Sequence, residues 1–317
     1  EAIGKDWGCT AEEAADADRA AFLSKSDLAT GMVTEFTELQ GEMGKEYALL
    51  YGEKPEVAKA IFEQYMPRFA GDILPEQEIG RALSLADKLD NLAATFLRGL
   101  IPTGSQDPFA LRRQTIGAVN ILTDGKIHWD IRRGIEAALA LLPGDEETKK
   151  TVLSQIEDFF RQRIKAIMLD EGIAYDIIDA VLAGPVDDIY ALFLKARSMA
   201  ESQLKDEADL RQAVTRLANI TKGKTGGKVD PSLFTEDVEK KLQDAFEAVS
   251  AKALPLFASY EYGKALPALK ELTAPINDYL DNVMVMVDDE AVKNNRISQL
   301  LATLALFNTW GDFSKLV

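Results

Sequence analysis

The stretch Ile101–Arg113, IPTGSQDPFALRR, guides the interpretation of the whole chain, because a loop here leads directly into a helix. Its first half is rich in the turn formers Pro, Thr, Gly and Ser. Asp107 stands where an N-cap belongs, and Pro108 follows at the first helical position. Apolar residues at helical spacing continue in FALRRQTIGAVNIL. We therefore predict a helix capped by Asp107 that carries Arg112 and Arg113 in its second turn.

Two adjacent arginines near a helix start can receive an anion, because guanidinium groups and free N–H groups both present positive charge. A well-capped core helix whose arginines pair with neighbouring acids explains the same pattern. Adjacent helix positions point about 100° apart. We therefore expect one of Arg112 and Arg113 to be structural and the other to face a ligand.

Helical periodicity continues through most of the chain. The predicted helices span 11–22, 55–65, 76–99, 130–142, 146–171, 175–183, 186–201, 206–221, 235–256, 261–269, 272–283 and 289–310, and the helical period also extends through 23–31 and 30–43. The only strand candidate is the short run VMVMV at Val283–Val287, which is ambiguous. We predict an all-α protein. Pro, Gly and two acids in LPGDE at 142–146 favour a domain break between residues 1–142 and residues 143–317.

Composition limits the function classes that fit. A length of 317 residues suggests about two domains, and no apolar run approaches the roughly 18 residues of a membrane span. The N-terminus lacks the pattern of a signal peptide, and the missing initiator Met fits a fragment. A single cysteine excludes an internal disulfide and fits a reducing cytoplasm. The only histidine, His128, has no cluster of ligand-type residues around it in sequence, so we predict a structural role.

The net charge of −16 argues against a broad basic surface for nucleic acid. It leaves room for a local basic patch, in which case the positive residues must be concentrated where the partner binds.

Several long stretches carry a family resemblance. PTGSQDPFALRR resembles a signature of the beta subunit of bacterial heterotetrameric glycyl-tRNA synthetase. Similar to the same subunit are LSKSDLATGMVTEFTELQGEMGKEYA from Leu23, AKAIFEQYMPRFAGDILP from Ala58, ADKLDNLAATF from Ala86 and VMVMVDDEAVKNNRISQLLATLALF from Val283. These stretches follow the family order over nearly the whole chain. They correspond to the C-terminal part of that subunit.

The first half, residues 1–142, resembles the HD-like helical domain of this subunit. By this resemblance, Asp27 lies where HD-type domains carry a metal-binding histidine followed by aspartate, but the histidine is absent here. Gln64 lies where relatives of this subunit often carry histidine. Asp87 and Asp90 lie three apart on one helix face, and paired carboxylates can hold Mg²⁺. Because this donor set is poor in ligands, we expect a degenerate metal site and no bound metal.

The second half, residues 143–317, resembles a DALR-type anticodon-binding domain, on the stretches Ala208–Gly223 and Val287–Leu301. Basic and amide side chains recur at its helix end, where they can contact RNA phosphates and exposed base edges. Lysines that favour a helix C-terminus, followed by a disordered loop, explain the same pattern. The residues predicted to contact tRNA are Arg112, Arg113, Arg216, Asn219, Lys222, Lys224, Tyr260 and Arg296.

The resemblance implies a tRNA-binding part of a glycine-tRNA ligase, located in the cytoplasm. Its partners would be glycine tRNA and the alpha subunit, with no membrane and no DNA. ATP and Mg²⁺ are expected on the alpha subunit, and neither a catalytic residue nor a cofactor is expected in this chain. Two alternatives remain. A metal-dependent HD-type phosphohydrolase is disfavoured by the single histidine, and a non-catalytic helical scaffold is favoured only by the acidic charge.

Overall fold

Helices form the regular secondary structure of the computed structural model, which describes residues 2–7 and 9–316. Across these residues no β-strand forms, and the isolated β-bridges join Thr103 to Gln106 and Asp130 to Asp188. The ambiguous run Val283–Val287 is irregular. The prediction of an all-α fold is therefore confirmed. None of the described helices combines the length and apolar character needed to cross a bilayer.

The chain divides into two compact units. The first comprises Glu1–Ala166 and Val186–Tyr190, and the second comprises Ile167–Pro185 and Ala191–Val317. The predicted break at 142–146 falls inside the first unit, because the helix that follows it packs there. On that helix, the Phe159 ring meets the Phe96 ring edge-on at 5.3 Å between centroids.

Helices α1 to α9 begin in the first unit. Their bounds are α1 Ala2–Asp6, α2 Ala11–Leu23, α3 Gly31–Glu35, α4 Glu42–Leu50, α5 Pro55–Glu63, α6 Glu78–Leu97, α7 Leu111–Asp124, α8 Ile131–Ala140 and α9 Glu146–Asp170. Helix α6 is central, since it packs against α2, α5, α7 and α8. It buries apolar side chains along most of its length. Gly134 on α8 permits close packing, because a Cβ there would lie 2.3 Å from Trp129 and 2.7 Å from Leu89.

The remaining helices are α10 Tyr175–Val181, α11 Ile189–Glu201, α12 Ala208–Thr221, α13 Asp237–Ala258, α14 Leu266–Lys270, α15 Thr273–Asn282 and α16 Glu290–Asn308. In the second unit α13 packs against α14, α15 and α16, while α12 packs against α15 and α16. Helix α16 is unusual because it buries polar side chains as well as apolar ones. The Gln299 amide, for example, donates to the carbonyl oxygen of Glu239 at 2.7 Å. Polar partners therefore fix how α16 packs on α13.

Candidate nucleic-acid interface

The loop at 101–110 folds back on the start of α7. Ala110 adopts a left-handed conformation with φ of 54°, and α7 begins only at Leu111. The predicted N-cap position is therefore wrong, because residues 108–110 form a turn before the helix. The Asp107 carboxylate nevertheless caps the helix from outside. It accepts the N–H groups of Leu111 and Arg112 at 2.8 and 2.9 Å.

The two arginines of α7 have different surroundings. The Arg112 guanidinium donates to the carbonyl oxygen of Gly104 at 2.8 Å, which fastens the loop to the helix. Arg113 is exposed. Helix geometry thus gives one arginine a structural contact and leaves the other at the surface, as the 100° offset of adjacent helix positions requires. Contact of either arginine with tRNA stays a prediction.

Two of the three acidic residues considered as metal ligands are engaged by other groups. Asp27 is buried and accepts the Gly41 N–H at 2.7 Å and the Tyr65 hydroxyl at 3.1 Å. Asp87 forms an ion pair with Lys25, and Asp90 is exposed.

Gln64 is fully buried, and its amide donates to the carbonyl oxygen of Ile61 at 3.1 Å. In residues 2–7 and 9–316, no group of three or more His, Cys, Asp or Glu side chains is placed to hold a metal ion. The HD-like assignment of this unit stays a prediction.

A buried lysine lies next to these acids. The Lys88 ammonium donates to the carbonyl oxygen of Met66 at 2.8 Å and to the Ser84 hydroxyl at 2.7 Å. Burial lowers the pKa of Lys88 to about 8, against the opposing effect of the Asp87 carboxylate. The Lys88 ammonium therefore places a positive charge in the interior of this unit.

His128 has structural partners. Its Nδ1 lies 2.8 Å from a carboxylate oxygen of Asp188, and its ring packs on Tyr190 at 4.9 Å between centroids. These contacts agree with the structural role predicted for it.

In the second unit, α12 presents part of the predicted basic cluster. Arg216 donates to the Asn277 side chain at 2.9 Å and pairs with Asp281 at 2.6 Å. Asn219, Lys222 and Lys224 are exposed at the end of the helix and in the loop that follows. Arg216 is thus held by acids and amides, whereas the other three offer their polar groups to solvent.

The glycine-rich loop after α12 is attached to α16. The Gly227 N–H donates to the Ser298 hydroxyl at 2.9 Å. Asp230 and Asn295 exchange a pair of hydrogen bonds, at 2.7 and 3.0 Å. These bonds place the lysines of the loop at a defined edge of the unit.

Arg296 lies inside the second unit. Its guanidinium bonds the Glu239 carboxylate at 3.0 Å, the Thr235 hydroxyl at 2.7 Å and the carbonyl oxygen of Met284 at 2.8 Å. The side chain is only 5% exposed, and the Glu239 side chain is 0% exposed. The prediction that Arg296 contacts tRNA is therefore wrong, because its donors are buried and occupied.

Tyr260 lies at the surface just after α13. It is 37% exposed, has a left-handed φ of 60° and meets the Tyr262 ring edge-on at 6.4 Å between centroids. Its ring is accessible for stacking, so its proposed contact with RNA stays a prediction.

One basic residue was missed by sequence reasoning. Arg163 on α9 covers the Phe159 ring, with the guanidinium carbon 4.3 Å from the ring centroid. The spacing of four residues on a helix was the available signal, since side chains at that spacing are neighbours. Burial and the positive charge of Arg112, fifty-one positions earlier in the chain, lower the pKa of Arg163, and this effect could not be obtained from the sequence.

Models of known protein families match stretches of both units. A family model described as DALR anticodon binding domain matches residues 210–311, which cover the α12 cluster and α16. A second model, described as glycyl-tRNA synthetase beta subunit, matches residues 2–183. The fold and these matches define a member of an aminoacyl-tRNA synthetase subunit family, with a stretch of the second unit that is similar to anticodon-binding domains.

Curated relatives support a particular family. The chain is 45% identical over 307 residues to the glycine–tRNA ligase beta subunit of Clostridioides difficile, covering 96% of this chain and 45% of that protein. It is 42% identical over 319 residues to that of Desulforamulus reducens, covering 99% and 46%. The chain belongs to the glycyl-tRNA synthetase beta subunit family. It spans a little under half the length of these relatives.

Proposed function

We propose that this chain is the tRNA-binding part of a glycyl-tRNA synthetase beta subunit, in which the second unit contacts the anticodon. The observation that carries the proposal is the exposed group Asn219, Lys222 and Lys224 inside the DALR match of a chain with net charge −16. Lysines here contact phosphates, while Asn219 has an amide that can pair with a base edge.

Catalysis lies outside this chain in the proposal. An alpha subunit, supplied as a separate chain, binds ATP, Mg²⁺ and glycine and forms the ester to tRNA. The beta subunit then acts by holding glycine tRNA, in the cytoplasm. No group of ligand-type side chains in the described residues favours the phosphohydrolase, and the net charge of −16 is the one feature that fits a scaffold.

Two kinds of contact can be separated by their salt dependence. Each phosphate contact contributes about 0.7–0.9 to the slope of log affinity against log salt. Lys222→Ala and Lys224→Ala should each lower the slope by that amount and weaken all tRNAs alike. Asn219→Ala should instead reduce preference between tRNAs, since a lost base contact typically costs about 1–3 kcal/mol.

The test is a binding titration of the chain with glycine tRNA and with an anticodon-altered tRNA. Lys252→Ala is the matched control, because Lys252 is an exposed lysine of the same unit that pairs with Glu271 at 2.6 Å. Arg216→Ala tests a mixed role, since loss of its bonds to Asn277 and Asp281 affects stability as well. Equal affinity for both tRNAs in the unmodified chain, or no difference between Lys222→Ala and Lys252→Ala, would reject the anticodon assignment.

A further inference from the structure

Two methionines are exposed in the short segment that follows α15 in the second unit. Burial alternates along this segment: Val283 and Val285 are 7% and 8% exposed, whereas Met284 and Met286 are 73% and 47% exposed. Alternate residues of an extended chain point to opposite faces. The two valines therefore anchor the segment to the core, and the two thioether side chains face solvent together.

This exposure exceeds that of other apolar side chains nearby. In the described part of the second unit, no large apolar side chain is more exposed than Met284. Exposed apolar residues that are scattered singly need no explanation, whereas those that adjoin one another mark interaction sites. We call Met284 and Met286 the methionine pair and ask what covers it.

The packing of α12 on α15 places the methionine pair at the same end of the unit as the exposed lysines. The two helices pack together and run in the same direction. Lys270, just before α15, pairs with Glu207 at the start of α12, and Arg216, further along α12, pairs with Asp281 near the end of α15. The lysines follow the end of α12, and the methionine pair follows the end of α15.

Contacts with α16 give the same placement. The Arg296 guanidinium donates to the carbonyl oxygen of Met284 at 2.8 Å, and Ser298 accepts the N–H of Gly227, in the lysine-bearing loop, at 2.9 Å. Two positions on a helix differ by about 3 Å along its axis. The main chain of Met284 and that of the loop therefore reach α16 at the same level.

The lysine charges indicate the class of ligand. Lys222, Lys224 and Lys228 are exposed, and none of them has a carboxylate partner among the described residues. Lysines contact phosphates, which fix the position of a nucleic acid without reading its sequence. An RNA loop presents phosphates and unpaired bases together, so it matches both the basic groups and the apolar ones at this end of the unit.

The methionine pair itself suits a base better than a phosphate. A thioether is polarizable and makes favourable contacts with aromatic rings, and every base has a π face. Asp288, two positions after Met286, is exposed, and its negative charge disfavours a phosphate at this place. A loop of unpaired nucleotides can put bases on the thioethers and phosphates on the lysines, whereas a duplex keeps its bases stacked inside.

We propose that Met284 and Met286 form an apolar platform on which unpaired bases of the tRNA anticodon loop pack, while the lysines of the neighbouring loop bind the adjoining phosphates. This inference rests on the proposed function, since the ligand is a tRNA. The platform contributes to affinity and not to preference between sequences, because stacking is available to every base.

The first test is oxidative footprinting of the full chain with dilute hydrogen peroxide, read by mass spectrometry. Exposed methionines are converted to sulfoxides, and a bound ligand protects those that it covers. An RNA stem–loop with the anticodon loop of glycine tRNA should slow the oxidation of Met284 and Met286 severalfold. Met32 of the first unit, which is 41% exposed, is the internal control and should oxidise equally fast with and without RNA. A fully paired duplex of the same length should protect none of the three.

Affinity for the stem–loop gives a second readout. Met284→Gln and Met286→Gln should each weaken binding about 2- to 10-fold, the factor that a sulfur–aromatic contact contributes. The slope of log affinity against log salt should stay unchanged, because no phosphate contact is lost. Met284→Leu keeps an apolar side chain and should bind more tightly than Met284→Gln.

Leu254→Gln is the matched control for these variants. Leu254 is 51% exposed and lies about 25 Å along α13 from the start of that helix, so its replacement should leave RNA affinity unchanged. Substitutions at exposed positions usually change stability by less than about 0.5 kcal/mol. Circular dichroism melts establish that each variant is folded at the assay temperature.

The outcomes separate the platform from the anticodon assignment. If the unmodified chain binds neither glycine tRNA nor the stem–loop, the proposed function fails and the platform fails with it. If the stem–loop binds but both methionines stay unprotected and their Gln variants match Leu254→Gln, the platform alone is wrong. Equal protection by the stem–loop and the duplex would also overturn it, since unpaired bases are then not required. Weaker binding of the alpha subunit by the Gln variants, with RNA affinity intact, would assign the methionine pair to a protein partner instead.

Discussion

Replacing Arg296 by Met should destabilise the second unit strongly. The guanidinium lies within a buried network in which Glu239 accepts two bonds from it, at 3.0 and 3.2 Å. Glu239 also accepts the backbone N–H groups of Thr235 and Glu236, at 2.8 and 2.9 Å. The substitution leaves a buried carboxylate without its counter-charge. Removing one partner of a buried ion pair costs about 3–5 kcal/mol. At about 2–4 °C per kcal/mol for a chain of this size, the unfolding midpoint should fall by about 6–20 °C.

The loss should also depend on pH. Burial raises the pKa of Glu239, but hydrogen bonds from Arg296 and from the backbone lower it below its usual value overall. The unmodified chain therefore loses stability as the pH falls through the depressed pKa, because the unfolded state binds the proton first. Without Arg296 the pKa of Glu239 rises. The buried carboxylate is then protonated at mildly acidic pH, which removes its unpaired charge. The stability difference between the two proteins should be largest near pH 7 and should shrink towards about pH 4.

Urea unfolding, followed by circular dichroism at several pH values, measures both effects. Adding Glu239→Gln to Arg296→Met should recover part of the loss, since the double variant holds no buried charge. Lys252→Ala is the control, because its pair with Glu271 is about half exposed and such pairs contribute up to about 1 kcal/mol. A loss for Arg296→Met no larger than that of Lys252→Ala, or a loss independent of pH, would refute the buried-pair argument. At temperatures where it is folded, Arg296→Met should keep the tRNA affinity of the unmodified chain.

Three further changes probe the first unit. Asp107→Ala should cost about 0.5–2 kcal/mol in unfolding free energy through loss of the cap on α7, and an unchanged urea midpoint would contradict this. Gly134→Ala should cost about 1–3 kcal/mol, because its methyl group would overlap Trp129 and Leu89; a neutral effect in thermal melts would show that both side chains can yield. The unmodified chain should become more stable as the pH rises from about 8 to about 10, and Lys88→Met should lack this rise. The sign follows because the folded lysine, with its pKa at about 8, releases a proton that the unfolded one keeps; equal pH slopes in urea unfolding would disprove it.

Helix positions were largely predictable, whereas the details of helix starts were not. Apolar periodicity located the long helices α6, α9, α13 and α16 to within a few residues. At α7 the cap residue was identified correctly by its chemistry, but its position was not. The left-handed Ala110 inserts a turn between Asp107 and the helix, and alanine carries no sequence signal for that conformation.

Burial of charged residues was the main feature that sequence could not supply. In α16 polar and apolar residues share the buried surface, so no face of the helix is distinguished by its composition. Arg296 therefore looked like an accessible base in sequence although Glu239, fifty-seven positions earlier, encloses it. The same limit applies to Arg163, because its stack on Phe159 is local in sequence but the Arg112 charge that lowers its pKa comes from a distant part of the chain.

The acidic net charge and an RNA ligand are compatible when charge is considered locally. Exposed charges are screened beyond about 8 Å at physiological salt, so a phosphate responds to the bases within that distance and not to the total of −16. Many of the basic side chains are paired with acids, as Arg19 is with Glu53 and Arg197 is with Glu171. Such pairs contribute little net field at a distance. Lys222 and Lys224 in the second unit are exposed and have no carboxylate partner among the described residues, so their charge is available to a phosphate. Acidic side chains elsewhere repel RNA, so a net negative chain favours contact where unpaired lysines are exposed.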